Sequence, residues 1–202
     1  VGNHEMIELH TNSEVLEITG SAGAYGVKVL KRARRVDVGA CVACNACTEV
    51  CPIRVWSEFD CHLTHRKAIY IPFPQAVPNA YVVDPDNCLW IQSAGKRCGA
   101  CIKKCPKDCI HLDEADRTEE IEVGNIILAT GFDLFDARRI PQYGYGRLAN
   151  VYTSLEFERM LSASGPFEGH LRRLSDGAAP RRIAFIQCVG SRNPACGSDY
   201  CS

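Results

Sequence analysis

Cys41, Cys44, Cys47 and Cys51 fall within the single run CVACNACTEVCP, closed by Pro52. Thiolates are soft metal ligands, and C-x2-C steps turn successive thiols toward one point, so this spacing points to a metal centre. The ending returns downstream as Cys98, Cys101 and Cys105-Pro106, and Cys88 supplies the first thiol of that second half after a nine-residue insertion. The 202-residue chain holds 13 cysteines, ten of them between Val36 and Asp116. That bunching, at this chain length, excludes the disulfide framework of a small secreted domain.

The complete run C-x2-C-x2-C-x3-C-P resembles that of bacterial ferredoxins, whose fourth cysteine ligates the other cluster when two are present. Pseudo-symmetry then assigns one [4Fe-4S] cluster to Cys41, Cys44, Cys47 and Cys105, and a second to Cys88, Cys98, Cys101 and Cys51. In each half the chain turns at a proline and carries its last thiol across to the neighbouring cluster. Zinc is the competing reading, because paired C-x2-C steps also build ribbons and knuckles. A zinc site has no use for a third cysteine two residues on, nor for a proline after the fourth. Cys109 and Cys61 are alternatives to the widely spaced Cys88, although a spare buried thiol is the commoner fate of such residues. The six histidines are scattered without ligand spacing.

These thiols need elements to hold them. EVLEITG (Glu14–Gly20) and YGVKVLKRARR (Tyr25–Arg35) read as strands flanking a turn at Ser21-Ala22-Gly23-Ala24. The cations Lys28, Lys31, Arg32, Arg34 and Arg35 alternate with Val27, Val29 and Ala33, which marks the solvated face of a strand rather than a nucleic-acid patch. Residues 36–116 are loop-rich, with six of the ten prolines. EEIEVGNIILATGF (Glu119–Phe132) reads as a buried strand pair. TSLEFERMLSASG (Thr153–Gly165) reads as a helix with a Thr153–Glu156 capping box and Gly165 as its stop. RRIAFIQ (Arg181–Gln187) reads as another apolar strand. A formal net charge of −1 gives no bulk attraction to nucleic acid or anionic membranes. The apolar stretches are too short to span a bilayer, and no secretory leader opens the chain, so the expected location is cytoplasmic. The chain starts at Val1 and stops at Ser202 inside a cysteine-rich run, and is expected to be a piece of a longer polypeptide.

GNIILATGFDLFD (Gly124–Asp136) ends in Ala129-Thr130-Gly131 and resembles the segment of thioredoxin-reductase-type flavoproteins that lies against bound FAD. The strand expected at Arg181–Gln187 should feed a phosphate loop, yet the G-x-G-x-x-G fingerprint is absent and Cys188 stands at the strand end. Cys196 and Cys201 follow. Such a turn is expected to hold a third cluster rather than a nicotinamide cofactor.

Taken together, RKAIYIPFPQAVP (Arg66–Pro78), ILATGFDLFD, YGYGRLANVYTSLEFERML (Tyr143–Leu161) and IQCVGSR with YCS resemble the A subunit of heterodisulfide reductase over nearly the whole chain. The resemblance implies an α/β flavoprotein domain of thioredoxin-reductase type, carried by residues 1–35 and 117–202, with an inserted dicluster ferredoxin domain at residues 36–116. Residue 202 would fall at the start of a second, Rossmann-like cluster-binding subdomain. It implies FAD contacts at Ala129, Thr130 and Gly131, and a third [4Fe-4S] cluster held by Cys188, Cys201 and a Cys-Cys pair beyond them. The implied activity is that of an oxidoreductase subunit relaying electrons between FAD and clusters, in complexes that bifurcate or confurcate electrons, with no catalytic residue in this segment. The implied partners are the other subunits of such a complex and a ferredoxin, hydrogenase or formate dehydrogenase. An A-type subunit serving benzoyl-CoA reduction or sulfur metabolism, and a flavin-free ferredoxin-type carrier, are the alternatives.

Overall fold

The structure, a computed structural model, describes residue 2 and residues 4–201. Two strands, β1 (Ser13–Ser21) and β2 (Ala24–Lys31), pair antiparallel across the tight turn at Ala22-Gly23. Alternation buries Val27 and Val29 on one face of β2 and leaves Lys28 on the other. The neighbouring cations are neutralised locally: Lys31 pairs with Glu119, and Arg32 with Glu14.

The chain then leaves the sheet, and the next elements are short. They are α1 (Ala46–Glu49), β3 (Val55–Trp56), β4 (His65–Arg66), β5 (Ile69–Tyr70), β6 (Val82–Val83), α2 (Leu89–Gln92) and α3 (Ala100–Lys104). β3 pairs with β4 and β5 with β6, both antiparallel. β7 (Arg117–Val123) returns to the sheet beside β2, giving the order β1-β2-β7. The excursion is tied shut at its base. Val36 bridges Ile110, the N–H of Asp37 donates to the carbonyl of Cys109 at 2.8 Å, and that of His111 donates to Arg35 at 3.0 Å. The Asp116 carboxylate caps the Ala33 N–H at 2.8 Å. Residues 36 and 110 therefore leave and rejoin two strands that are already paired.

Two compact units result, one of Val1–Phe59 with His65–Leu128, the other of Asp60–Thr64 with Ala129–Ser202. The core of the first gathers Val36, Cys47, Ala68, Ile69, Tyr81, Val83, Cys88, Cys109, Ile110 and Leu112. Three of these ten are cysteines, so the apolar core and the thiol sites occupy the same space. In the second unit, α4 (Ser154–Leu161) carries both halves of its capping box, with Thr153 and Glu156 each bonding the other's backbone N–H. Met160 on α4 is fully buried, and Arg159 bonds Asp60 at 2.9 Å. The helix is already capped at Ser162, ahead of the expected stop at Gly165. Gly165 still matters, because a Cβ there would meet the Arg159 carbonyl oxygen at 1.8 Å.

Two sequence expectations fail. β7 stops at Val123, and 125–136 run as coil with Ile127, Leu128 and Phe132 more than three-quarters exposed. Residues 181–187 are also coil, with Phe185 68% exposed. An apolar run becomes a strand only when a neighbouring strand satisfies its backbone and covers its face. Among the described residues none lies beside either run. Ala129, Thr130 and Gly131 accordingly stand on exposed coil rather than at a strand end.

Candidate metal centres

The first cysteine run is shaped by its backbone. Asp37 anchors it, its carbonyl accepting the Cys41 N–H at 3.0 Å and its carboxylate accepting the Gly39 N–H at 2.8 Å. Ala43 (φ 52°) and Asn45 (φ 69°) are left-handed. Alternation of right- and left-handed residues turns successive N–H groups to one side, the nest that suits iron–sulfur and phosphate sites. The Tyr81 hydroxyl, from a side chain that is itself buried, bonds the Asn45 side chain. α1 then carries Cys47 inward, to 6% exposure, and Lys67 Nζ holds the Cys51 carbonyl at 2.8 Å.

The second run is built on a different scaffold. The Asp84 carbonyl accepts the Cys88 N–H at 3.1 Å. Its carboxylate accepts from Arg66 at 2.9 Å, from the Asp86 N–H at 3.0 Å and from Asn87 Nδ2 at 2.9 Å. Glu58 accepts from Nε and Nη2 of the same Arg66 guanidinium. Cys88 thus begins α2 from a fixed turn, and the nine-residue insertion is α2 plus a turn that returns the chain to Cys98. Cys98 (φ 71°) and Gly99 (φ 95°) are both left-handed, and α3 presents Cys101. The Asp-Pro-Asp-Asn turn before Cys88 is the sequence signal for this scaffold; its partner Arg66 is not visible from spacing.

One recess is lined by Cys41, Cys44, Cys47 and Cys105, with Cys109 beside them and Val36, Tyr81 and Ile110 among the walls. Three of these ligand-spaced thiols come from the first run and one from the second. In the other group, Cys101 has Cys88, Cys51 and Cys98 among its electrostatic neighbours, so the first run's last thiol faces the second half. α1, which carries Cys47, and α3, which carries Cys101, pack together. Burial pushes the Cys47 and Cys109 thiols up to about 12 and Cys101 up to about 11. Cys105 behaves differently. Burial raises it too, but N–H groups of Cys109, Lys107 and Asp108 and the Cys109 thiol bring it below the ordinary range.

The donor set fits an iron–sulfur cluster. Lys107 is the one ionisable wall residue of the recess that is not a thiol or phenol, and no carboxylate or imidazole competes. Among the described residues no three donors converge as closely as a single bare ion requires. A cubane presents a separate iron to each thiolate and accepts a wider ring of sulfurs.

Cys109 lies in the Cys41 recess, 3.5 Å from Cys105, and Cys61, in the second unit, has Glu156 and Arg159 among its charged neighbours. Cys188 (φ 56°) and Cys201 lie in coil, and Cys196 ends a short 3-10 helix, Pro194–Cys196. The Phe135 ring covers the turn after Cys188, where a Cβ on Gly190 would meet it at 2.2 Å. Gly131 stands in the open, where a Cβ would meet nothing within 4 Å.

Relatives decide the family. Over all 202 residues the chain is 47% identical to the iron–sulfur A subunit of the CoB–CoM heterodisulfide reductase of Methanocaldococcus jannaschii. It is 46% identical over 202 residues to the A subunit of the H2:CoB-CoM heterodisulfide,ferredoxin reductase of Methanothermobacter marburgensis. The chain belongs to the heterodisulfide reductase A-subunit family. It is also 39% identical over 203 residues to the A subunit of the ferredoxin:CoB-CoM heterodisulfide reductase of Methanosarcina mazei. The chain spans 30% of the length of the first two relatives and 25% of the third. No protein-family model matches it. No helix among the described residues is long and apolar enough to cross a membrane.

Proposed function

We propose that this chain is the cluster-bearing segment of an A-type oxidoreductase subunit, carrying electrons through two [4Fe-4S] clusters. Cys41, Cys44, Cys47 and Cys105 hold one, and Cys51, Cys88, Cys98 and Cys101 hold the other. The observation that carries this reading is the recess in which three thiols of the first run meet the last ligand-spaced thiol of the second. Each cluster, when bound, accepts and releases one electron at a time. The protein supplies the thiolates and sets one thiol of each group, Cys47 and Cys88, in its apolar core, while Cys44 and Cys98 face solvent. Holding the two groups on the packed α1 and α3 keeps their separation short.

In the complete polypeptide we assign FAD to the thioredoxin-reductase-like part at residues 1–35 and 117–202, and residues 36–116 to an inserted ferredoxin domain. A third cluster is assigned to Cys188 and Cys201 with thiols from elsewhere in the polypeptide. Family membership is the support for both assignments. Transfer to the other subunits of a heterodisulfide-reductase-type complex, including electron bifurcation, and exchange with a ferredoxin, hydrogenase or formate dehydrogenase, follow from the same membership.

Anaerobic iron and acid-labile sulfide analysis tests the core of this reading. The segment should bind about eight iron and about eight sulfide per chain if both cubanes form. One tightly held zinc without sulfide would overturn it. Flavin content of the complete polypeptide separates the flavoprotein assignment from a flavin-free carrier.

A further inference from the structure

The recess holds one more thiol than a cubane uses. Cys109 is 4% exposed, deeper than Cys105, and its sulfur lies 3.5 Å from that of Cys105. Cys41, from the opposite half, is a second sulfur within its reach. Cys109 is held in place by its own backbone: its carbonyl accepts the Asp37 N–H at 2.8 Å, and the next residue forms the Val36–Ile110 bridge. Among the side chains lining the recess the only oxygen is the Tyr81 hydroxyl, which donates to Asn45, and the sulfur at hydrogen-bond distance from Cys109 is that of Cys105.

We propose that Cys109 is not a ligand but a hydrogen-bond donor to the cluster thiolate of Cys105, and that it sets the reduction potential of the Cys41 cluster. This rests on the two-cluster reading above. Spacing distinguishes donor from ligand: Cys105 precedes Pro106 as Cys51 precedes Pro52, and a cluster-bound thiolate carries no S–H, so the 3.5 Å contact leaves Cys109 as the donor. Reduction adds negative charge that spreads onto the coordinating sulfurs. An S–H aimed at one of them therefore stabilises the reduced cluster more than the oxidised one, and raises its potential.

The test uses the anaerobically reconstituted chain and redox titration followed by electron paramagnetic resonance. Cys109→Ala should keep full iron and sulfide and shift the Cys41 centre to lower potential, leaving the Cys88 centre unmoved. Cys109→Ser, which keeps a donor of smaller reach, should fall between. In wild-type protein, exchange into deuterated buffer should move the Fe–S stretching bands in resonance Raman spectra beyond the shift from backbone amides, and Cys109→Ala should lose that increment. Loss of one cluster's iron in both Cys109 variants, with Cys105→Ala retaining its iron, would overturn the proposal by making Cys109 the ligand. Unchanged potentials in a fully loaded Cys109→Ala would overturn it as well. Absence of sulfide in the wild type would instead refute the two-cluster reading itself.

Discussion

Asp84 is the point where removing one carboxylate should loosen one cluster and spare the other. It lies four residues before Cys88, with its side chain 9% exposed against an Arg66 side chain that is 12% exposed. Asp84→Ala deletes the 2.9 Å charge-assisted bond to Arg66, the 3.0 Å bond from the Asp86 N–H and the 2.9 Å bond from Asn87. Breaking a buried ion pair by removing one partner costs about 3–5 kcal/mol when the remaining charge is stranded. Arg66 is not stranded, because two bonds to Glu58 and its stack over Tyr70 at 4.0 Å remain. The loss should therefore be that of one strong and two weaker hydrogen bonds to the carboxylate, about 2.5–6 kcal/mol, toward the lower end because the Asp86 N–H is exposed and can turn to water. Asp84→Asn keeps an acceptor for the Asp86 N–H and should cost about half as much. Urea unfolding of the cluster-free chain reads the stability, and chelator-driven iron release from the loaded chain reads the sites. The Cys88 centre should release iron first, by paramagnetic resonance, in both variants. A stability change below about 0.5 kcal/mol, or earlier loss of the Cys41 centre, would refute the idea that this turn holds Cys88 in position.

Cys51→Ser should reduce bound iron from about eight to about four per chain, with the loss confined to the Cys88 centre, since Cys51 is a neighbour of Cys101; loss of the Cys41 centre instead would reverse the assignment. Burial lifts Cys47 and Cys109 to about 12 in the folded, metal-free chain. The folded state thus binds these protons more tightly than the unfolded one, so their stabilisation is complete below about pH 8.5 and fades as pH climbs toward 12. Urea midpoints of the metal-free chain should fall over that interval, and Cys109→Ala should flatten the fall. Cluster incorporation needs thiolates, so reconstitution at about pH 6 should be slower and less complete than at about pH 8, scored by iron bound. Thr153→Ala removes the reciprocal cap of α4 and should cost about 1 kcal/mol, seen as reduced helical ellipticity and earlier proteolysis around Thr153.

The thiol chemistry is legible in the primary structure because ligand spacing is local: Cys41, Cys44 and Cys47 are brought together by backbone turns that their own segment encodes. The same holds for the β1–β2 hairpin, where alternation and a two-residue turn suffice, and for α4, whose capping box is a four-residue signal. The duplicated proline-terminated ending also leads to the expectation that Cys51 and Cys105 are exchanged between halves, and Cys105 does line the recess of Cys41, Cys44 and Cys47. What spacing does not reveal is anything that depends on residues distant in sequence. The role of Asp84 becomes visible only when Arg66, eighteen positions earlier, folds against it. By sequence Cys109 is either an alternative to Cys88 or a spare buried thiol, and only the fold, through the Val36–Ile110 bridge, places it in the Cys41 recess. The apolar runs at 124–132 and 181–187 carry strand-like composition, but a strand is a relation between neighbours, and a segment without a paired edge remains coil. Local conformational preference belongs to the sequence; pairing, burial and the identity of each thiol's neighbours belong to the tertiary fold, because they are set by contacts whose partners lie tens of residues apart.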